Sequence, residues 1–275
     1  MAWFAKHAEP AELRVGSVFH DGVDYGLYNL AQRCRPLPAD EWQLCIDDHF
    51  AKILAATDER REWRELESDF GSAAPLLRLR LQSPDMRRPG DCLAREELPG
   101  TVSHVVADMP SSLLGILDDV LERWQRSAEE VFALARAQTV RDCPIEWEEV
   151  SLGPAPSPCL FVASADHFFV CTHVFRLDAW PRLTAADGCL VAIPDRQTML
   201  VLPLVAGGLS EAVESLVSLA HRRHEQGPGS VSPHLYWRRA DGGFEVQLCE
   251  MQDGSLQVTP SRAFADVLDR LTRAG

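Results

Sequence analysis

Two apolar runs near the middle of the chain limit its fold more than any other feature. Cys189-Leu-Val-Ala-Ile193 and Met199-Leu-Val-Leu202 are rich in β-forming residues and are joined by the five residues Pro194-Asp-Arg-Gln-Thr198. Such a pattern predicts an antiparallel hairpin. Neither run alternates apolar with polar side chains, so both faces of the hairpin have to be covered. A chain with this centre therefore needs packing elements above and below one sheet.

The flanking sequence supplies them. Beyond the hairpin a helix is predicted from Ser210, its N-cap, with Val213, Leu216, Val217 and Ala220 on the buried side. Residues 234–238, 244–250 and 255–258 form three β-rich runs separated by Asp241-Gly-Gly243 and Asp253-Gly254, the pattern of a meander. A last helix is expected with Thr259 as cap, Pro260 in its first position and Phe264, Val267, Leu268 and Leu271 as its core face.

The first half mixes both kinds of element. The clearest helix spans residues 40–54, with Asp40 as N-cap and a stripe of Trp42, Cys45, Ile46, His49, Phe50, Ile53 and Leu54. The charged run 58–69 extends or follows it. Residues 76–81 alternate as a half-buried strand that puts Arg78 and Arg80 on a wet face. Residues 83–100 are rich in Pro, Gly and charge and are expected to be a loop, and 102–107 a short strand. Pro110-Ser-Ser112 looks like a helix start, followed by a stripe of Leu113, Leu117, Val120, Leu121 and Trp124. Ser127-Ala-Glu-Glu130 is a capping box opening a helix to about residue 138. Residues 159–163 form a strand pattern; 168–177 fit strand or helix. Strands in antiparallel order among helices, without regular βαβ units, give an α+β fold with mixed or antiparallel sheets and packed helices. The Pro-rich segment 153–158 divides an N-terminal region, 1–152, from a C-terminal region, 159–275, or is a long turn within one domain.

Charge narrows the partners. Against 27 Lys and Arg stand 41 Asp and Glu, a formal net charge of −14. That field repels nucleic acid and anionic lipid and favours solubility, cationic ligands or a basic protein partner. The acids are concentrated: residues 39–69 hold ten acidic and four basic side chains. An acidic docking surface there would use Asp40, Glu41, Asp47 and Asp48. No apolar stretch is long enough for a membrane span, because 188–208 is broken by Pro194, Asp195 and Arg196. There is no signal-peptide pattern at the start. The eight cysteines include no C-x-x-C pair and are expected as reduced, mostly buried thiols in a cytoplasm. No cofactor motif is present.

Other residue groups bear on chemistry. If 167–173 is a strand, His167, Cys171 and His173 fall on one face, as a zinc or thiol-histidine site would need. His221 and His224 are spaced i, i+3 for a shared helical face, although cations at a helix end also complement its dipole. Asp195 and Arg196 lie at the tip of the hairpin, where exposure is expected; a charged turn of this kind is usually just solvated, and a binding role is the alternative. Gly208-Leu-Ser-Glu-Ala212 lacks the second glycine of a nucleophile elbow. Trp3, Phe4 and Trp180 are candidate exposed anchors.

Ser127-Ala-Glu-Glu-Val-Phe-Ala-Leu-Ala135, His167-Phe-Phe169, Gly188-Cys-Leu-Val-Ala-Ile-Pro-Asp-Arg196 and Met199-Leu-Val-Leu-Pro203 follow one another in an order that resembles the YtpQ-like bacterial family, a domain of unknown function. The resemblance covers about residues 110–205. It implies a helix, a small-residue segment, and a strand ending in a Val/Ile-Pro turn before a second strand. It also implies a bacterial cytosolic protein of unassigned activity, and it brings no catalytic residue. Two functions stand against each other: a non-enzymatic acidic module that binds a basic protein, of immunity or adaptor type, and an enzyme with an unrecognised site, such as a metal-dependent hydrolase.

Overall fold

The computed structural model describes residues 11–20, 23–86, 93–152, 158–227, 229–252 and 255–274. It is an α+β protein with antiparallel sheets. Two compact units separate: residues 1–73 with 107–114, and residues 74–106 with 115–275.

In the smaller unit, β1 (Glu12–Arg14), β2 (Ser17–His20) and β3 (Val23–Gly26) form an antiparallel meander. Helices α1 (Tyr28–Cys34), α2 (Trp42–Leu66) and α3 (Phe70–Ala73) follow. Val18, Leu30, Cys34, Cys45 and Phe50 are its core cluster. The predicted helix at 40–54 is therefore real, and the charged run continues it by three more turns. Its cap differs: Glu41 holds the N-cap position without a side-chain bond, so Asp40 does not cap.

The larger unit begins with β4 (Leu77–Gln82), β5 (Ala94–Arg95) and β6 (Val102–Asp108), where β4 and β5 flank β6. Residues 107–114, the end of β6 and most of β7 (Leu113–Gly115), group with the smaller unit. The helix expected to start near Pro110 is thus replaced by β7, and only α4 (Val120–Trp124) is helical in that stretch. Helix α5 (Ala128–Asp142) starts on the predicted capping box, with Ser127 Oγ accepting from Glu130 N–H and the Glu130 carboxylate accepting from Ser127 N–H.

A seven-stranded antiparallel sheet follows. It comprises β8 (Trp147–Ser151), β9 (Cys159–Ser164), β10 (Cys189–Asp195), β11 (Thr198–Pro203), β12 (Leu235–Arg238), β13 (Phe244–Gln252) and β14 (Ser255–Thr259). Their spatial order is β14-β13-β12-β10-β11-β9-β8. The hairpin β10–β11 sits at its centre, buried along both strands. One face carries Cys189, Val191, Met199, Val201 and Phe161 against a 3-10 helix at Val170–Ala179. The other carries Leu190, Ala192, Leu200 and Leu202 against α6 (Leu209–Gln226) and α7 (Arg262–Ala274). The double covering demanded by the sequence is present. Strands β8 and β9, on either side of the Pro-rich segment, pair directly, as a long turn between strands would have it; residues 153–157 themselves lie outside the described ones, as does the turn at Asp253-Gly254.

Caps differ again. Gly208, in the left-handed region, precedes α6 where Ser210 was expected, and Ser261 rather than Thr259 accepts from the first turn of α7, at Phe264 N–H. The alternation at β4 holds, with Leu77, Leu79 and Leu81 buried, but Arg78 and Arg80 are only partly exposed. The Arg78 guanidinium is paired with Asp142 at 3.0 Å and bonded to the Pro75 and Leu77 carbonyls. The outer edge of β4 is closed by side chains: Thr139 Oγ1 accepts from Leu79 N–H, and Thr172 Oγ1 donates to Leu79 O. Such covering satisfies an edge strand that would otherwise be open to pairing.

Candidate functional site

The four candidate acids of the smaller unit, Asp40, Glu41, Asp47 and Asp48, separate into two pairs. Asp48 accepts from Arg33 and Lys52, at 3.0 and 3.1 Å, and these hydrogen bonds hold its carboxyl below the usual range. Asp47 accepts from Gln43 at 2.8 Å. Both are used within the fold. Asp40 and Glu41, in contrast, have no cationic partner among the described residues. They lie in a run of seven consecutive exposed residues, 38–44, that ends in Asp40-Glu-Trp-Gln-Leu44. Within it Trp42 is 45% and Leu44 72% exposed. The indole is nonetheless fixed, because its Nε1–H donates to Leu37 O at 3.0 Å. Trp42 was expected on the buried stripe; it lies at the first position of α2, ahead of the turns that pack, and so stays outside.

The hairpin tip behaves differently from its prediction. Asp195 is 4% exposed, not solvated. The β10–β11 register shifts between Ala192 and Asp195, and such a bulge re-aims the side chains beside it. Cys171 Sγ–H donates to Asp195 O at 2.9 Å, and Gln197 N–H donates to Asp195 Oδ1 at 2.8 Å. Burial raises the Asp195 carboxyl above its ordinary value; the bond from Gln197 offsets part of this. Arg196 lies over the Phe168 ring at 3.9 Å, a stacked cation. Arg80 has no carboxylate partner among the described residues, and burial, with Arg196 adding repulsion, lowers it to about 10.

The histidines are brought to carbonyls rather than to one another as ligands. Residues 170–179 form a 3-10 helix, so the strand alternation that would align His167, Cys171 and His173 does not apply. His173 Nε2–H donates to Cys143 O at 2.8 Å, and His167 Nε2–H to Pro144 O at 3.2 Å. These carbonyls lie at the C-terminal end of α5, where helix acceptors lack internal partners. Burial lowers the His173 imidazole, which favours its neutral form. The Cys171 thiol, also buried, is pushed well up. On α6, His221 faces Glu225 at 3.3 Å, and His224 is half-buried, which lowers it. Among the described residues no three His, Cys, Asp or Glu side chains are gathered to hold a metal ion. The seven described cysteines are free thiols. Trp180 is packed edge-on against Trp147, with ring centres 5.7 Å apart; Trp3 and Phe4 lie outside the described residues. No described helix is long and apolar enough to cross a membrane.

Sequence patterns had no means of pairing Cys171 with Asp195, which are 24 positions apart, or of separating Asp40 and Glu41 from Asp47 and Asp48. Arg33, on a different helix, joins Gln43 and Lys52 of α2 in making that second distinction. Comparison with protein-family models, curated proteins and solved structures finds no match, so the family resemblance rests on its quoted residues alone.

Proposed function

We infer that the protein is a binding module whose smaller unit recognises a basic protein through the exposed start of α2. The observation that carries this reading is the run Asp40–Leu44, two uncompensated carboxylates followed by an ordered, exposed Trp and Leu. Interface centres are rich in aromatic anchors, and flanking charge sets partner choice and association rate. The surroundings have the matching sign: the smaller unit holds 15 of the 41 acidic and 8 of the 27 basic residues, a net −7 within 81 residues. The partner this surface suits offers Lys or Arg around an apolar pocket that accepts the indole.

The test is capture by the tagged protein from a lysate of the cells that make it, at low and high salt, in parallel with Trp42→Ala/Leu44→Ala. The expected result is a stoichiometric basic protein, released by salt and missing from the double variant. Capture of the same proteins by wild type and variant would contradict the reading.

A further inference from the structure

A second site lies in the larger unit, away from any use in that reading. A polar cavity of 350 Å³ opens beside the hairpin tip, lined by Ser164, Asp166, Asp195, Gln197, Thr198 and Arg223. Its size is at the lower end of small-molecule pockets. We propose that it binds a small zwitterion of the free amino-acid class, with the ammonium group held by Asp195 and Asp166 and the carboxylate by Arg223.

Three observations carry this. First, the acidic wall is built from groups that the fold holds in place. The bulge in β10 turns Asp195 inward, Cys171 and Gln197 fix its backbone and Oδ1, and Gln197 Nε2–H also donates to Asp166 Oδ1 at 3.3 Å. Gln197 thus ties the two carboxylates into one wall. Second, opposite charges share the cavity without touching. Arg223 is close enough for its charge to lower the Asp195 carboxyl against the effect of burial, yet among the described residues it forms no ion pair. A ligand with both charges completes each half, whereas a ligand of one sign meets repulsion from the other. Third, the wall at Gly227 is kept bare. A Cβ there would stand 2.8 Å from Arg223 O, 3.1 Å from Asp195 Cβ and 3.2 Å from Asp195 Oδ2, so any larger residue would crowd this side of the cavity. Ser164 and Thr198 complete the polar lining, with the Thr198 side chain hydrogen-bonded to Asp195 and Ser164 Oγ–H donating to Gln197 O at 3.4 Å.

The probe is each common amino acid in turn, followed by calorimetry and thermal shift on the full chain. Matched amines and carboxylates carrying only one of the charges serve as controls. The expected result is one-to-one binding of at least one amino acid, with the single-charge controls weaker by about tenfold or more. Asp195→Asn should weaken binding by a similar factor, and so should Arg223→Ala, whose exposed side chain leaves the fold undisturbed. Absence of any heat or shift up to about 10 mM, far above the range of a useful small-ligand site, would overturn the proposal. So would an affinity that Arg223→Ala leaves unchanged.

Discussion

In the larger unit β10 and β11 are buried along their whole length, and helices cover one face while a 3-10 helix covers the other. In the smaller unit the core cluster has five buried members, and Leu13, Val15, Tyr28, Trp42 and Leu44 stand exposed within 32 residues of chain. These are half of the ten large apolar side chains exposed among the described residues. The two units carry equal net charge, −7 each, but the smaller has 81 residues and the larger 194. The contrast teaches that apolar content alone does not locate a core. The proposed contact surface rests on this contrast: Trp and Leu kept in water beside carboxylates with no ion pair among the described residues, while most apolar residues of the larger unit's central sheet are packed.

That difference is sharpest at matched leucines. Leu200→Ala should destabilise the protein by about 2–5 kcal/mol, the usual result of opening a core cavity, because Leu200 is 1% exposed within the sheet–helix layer. Leu44→Ala should change stability by less than about 0.5 kcal/mol. Denaturant melts of both variants check the pair, and equal losses would erase the distinction. A smaller effect is expected at Glu59, the buried acid of α2. It accepts from Ser111 N–H at 2.7 Å and Ser112 Oγ–H at 2.5 Å, holding residues 107–114 within the smaller unit. Glu59→Ala should cost about 1–3 kcal/mol, since it strands donors that are part-buried, and should speed proteolysis near residue 111. Ser127→Ala, which opens the capping box of α5, should cost about 1 kcal/mol in the same melts.

The smallest expected effect is a slope. The folded-state carboxyl of Asp195 is raised by burial, with Arg223, Arg196 and His224 as the charged or titratable groups acting around it. The folded protein therefore binds more protons than the unfolded chain just above the ordinary carboxylate range. Stability contributed by this group falls as pH rises through that window. Asp195→Asn should remove that part of the slope, read from melts across mildly acidic pH. An unchanged slope would mean that Asp195 is not held in the environment described.

The fold was legible wherever the determining contacts are local or strictly periodic. The unbroken apolar runs 189–193 and 199–202 announced a doubly covered hairpin, and Ser127 with Glu130 announced a helix start three residues apart. Leu113, Leu117, Val120 and Leu121 misled because helical spacing over so few positions also fits a short strand followed by a turn. The site was harder to see. Arg78 and Arg80 alternate with leucines as a wet face would, yet Asp142, more than 60 positions later, covers Arg78. Asp195 sits in a turn by sequence, and only a bulge, Cys171 and Gly227 make it a buried cavity wall. Of the four candidate acids at the start of α2, the pattern gave the neighbourhood, and the side-chain bonds of Asp47 to Gln43 and of Asp48 to Arg33 and Lys52 separate those two from Asp40 and Glu41.

The most direct measurement of the central claim is the affinity of the captured basic partner for wild type and for Trp42→Ala/Leu44→Ala, with both proteins melted side by side. The two melts should coincide within about 0.5 kcal/mol, while affinity falls by about 30-fold or more, the scale of a lost aromatic anchor. Unchanged affinity, or a loss of affinity matched by an equal loss of stability, would contradict a recognition surface at the start of α2.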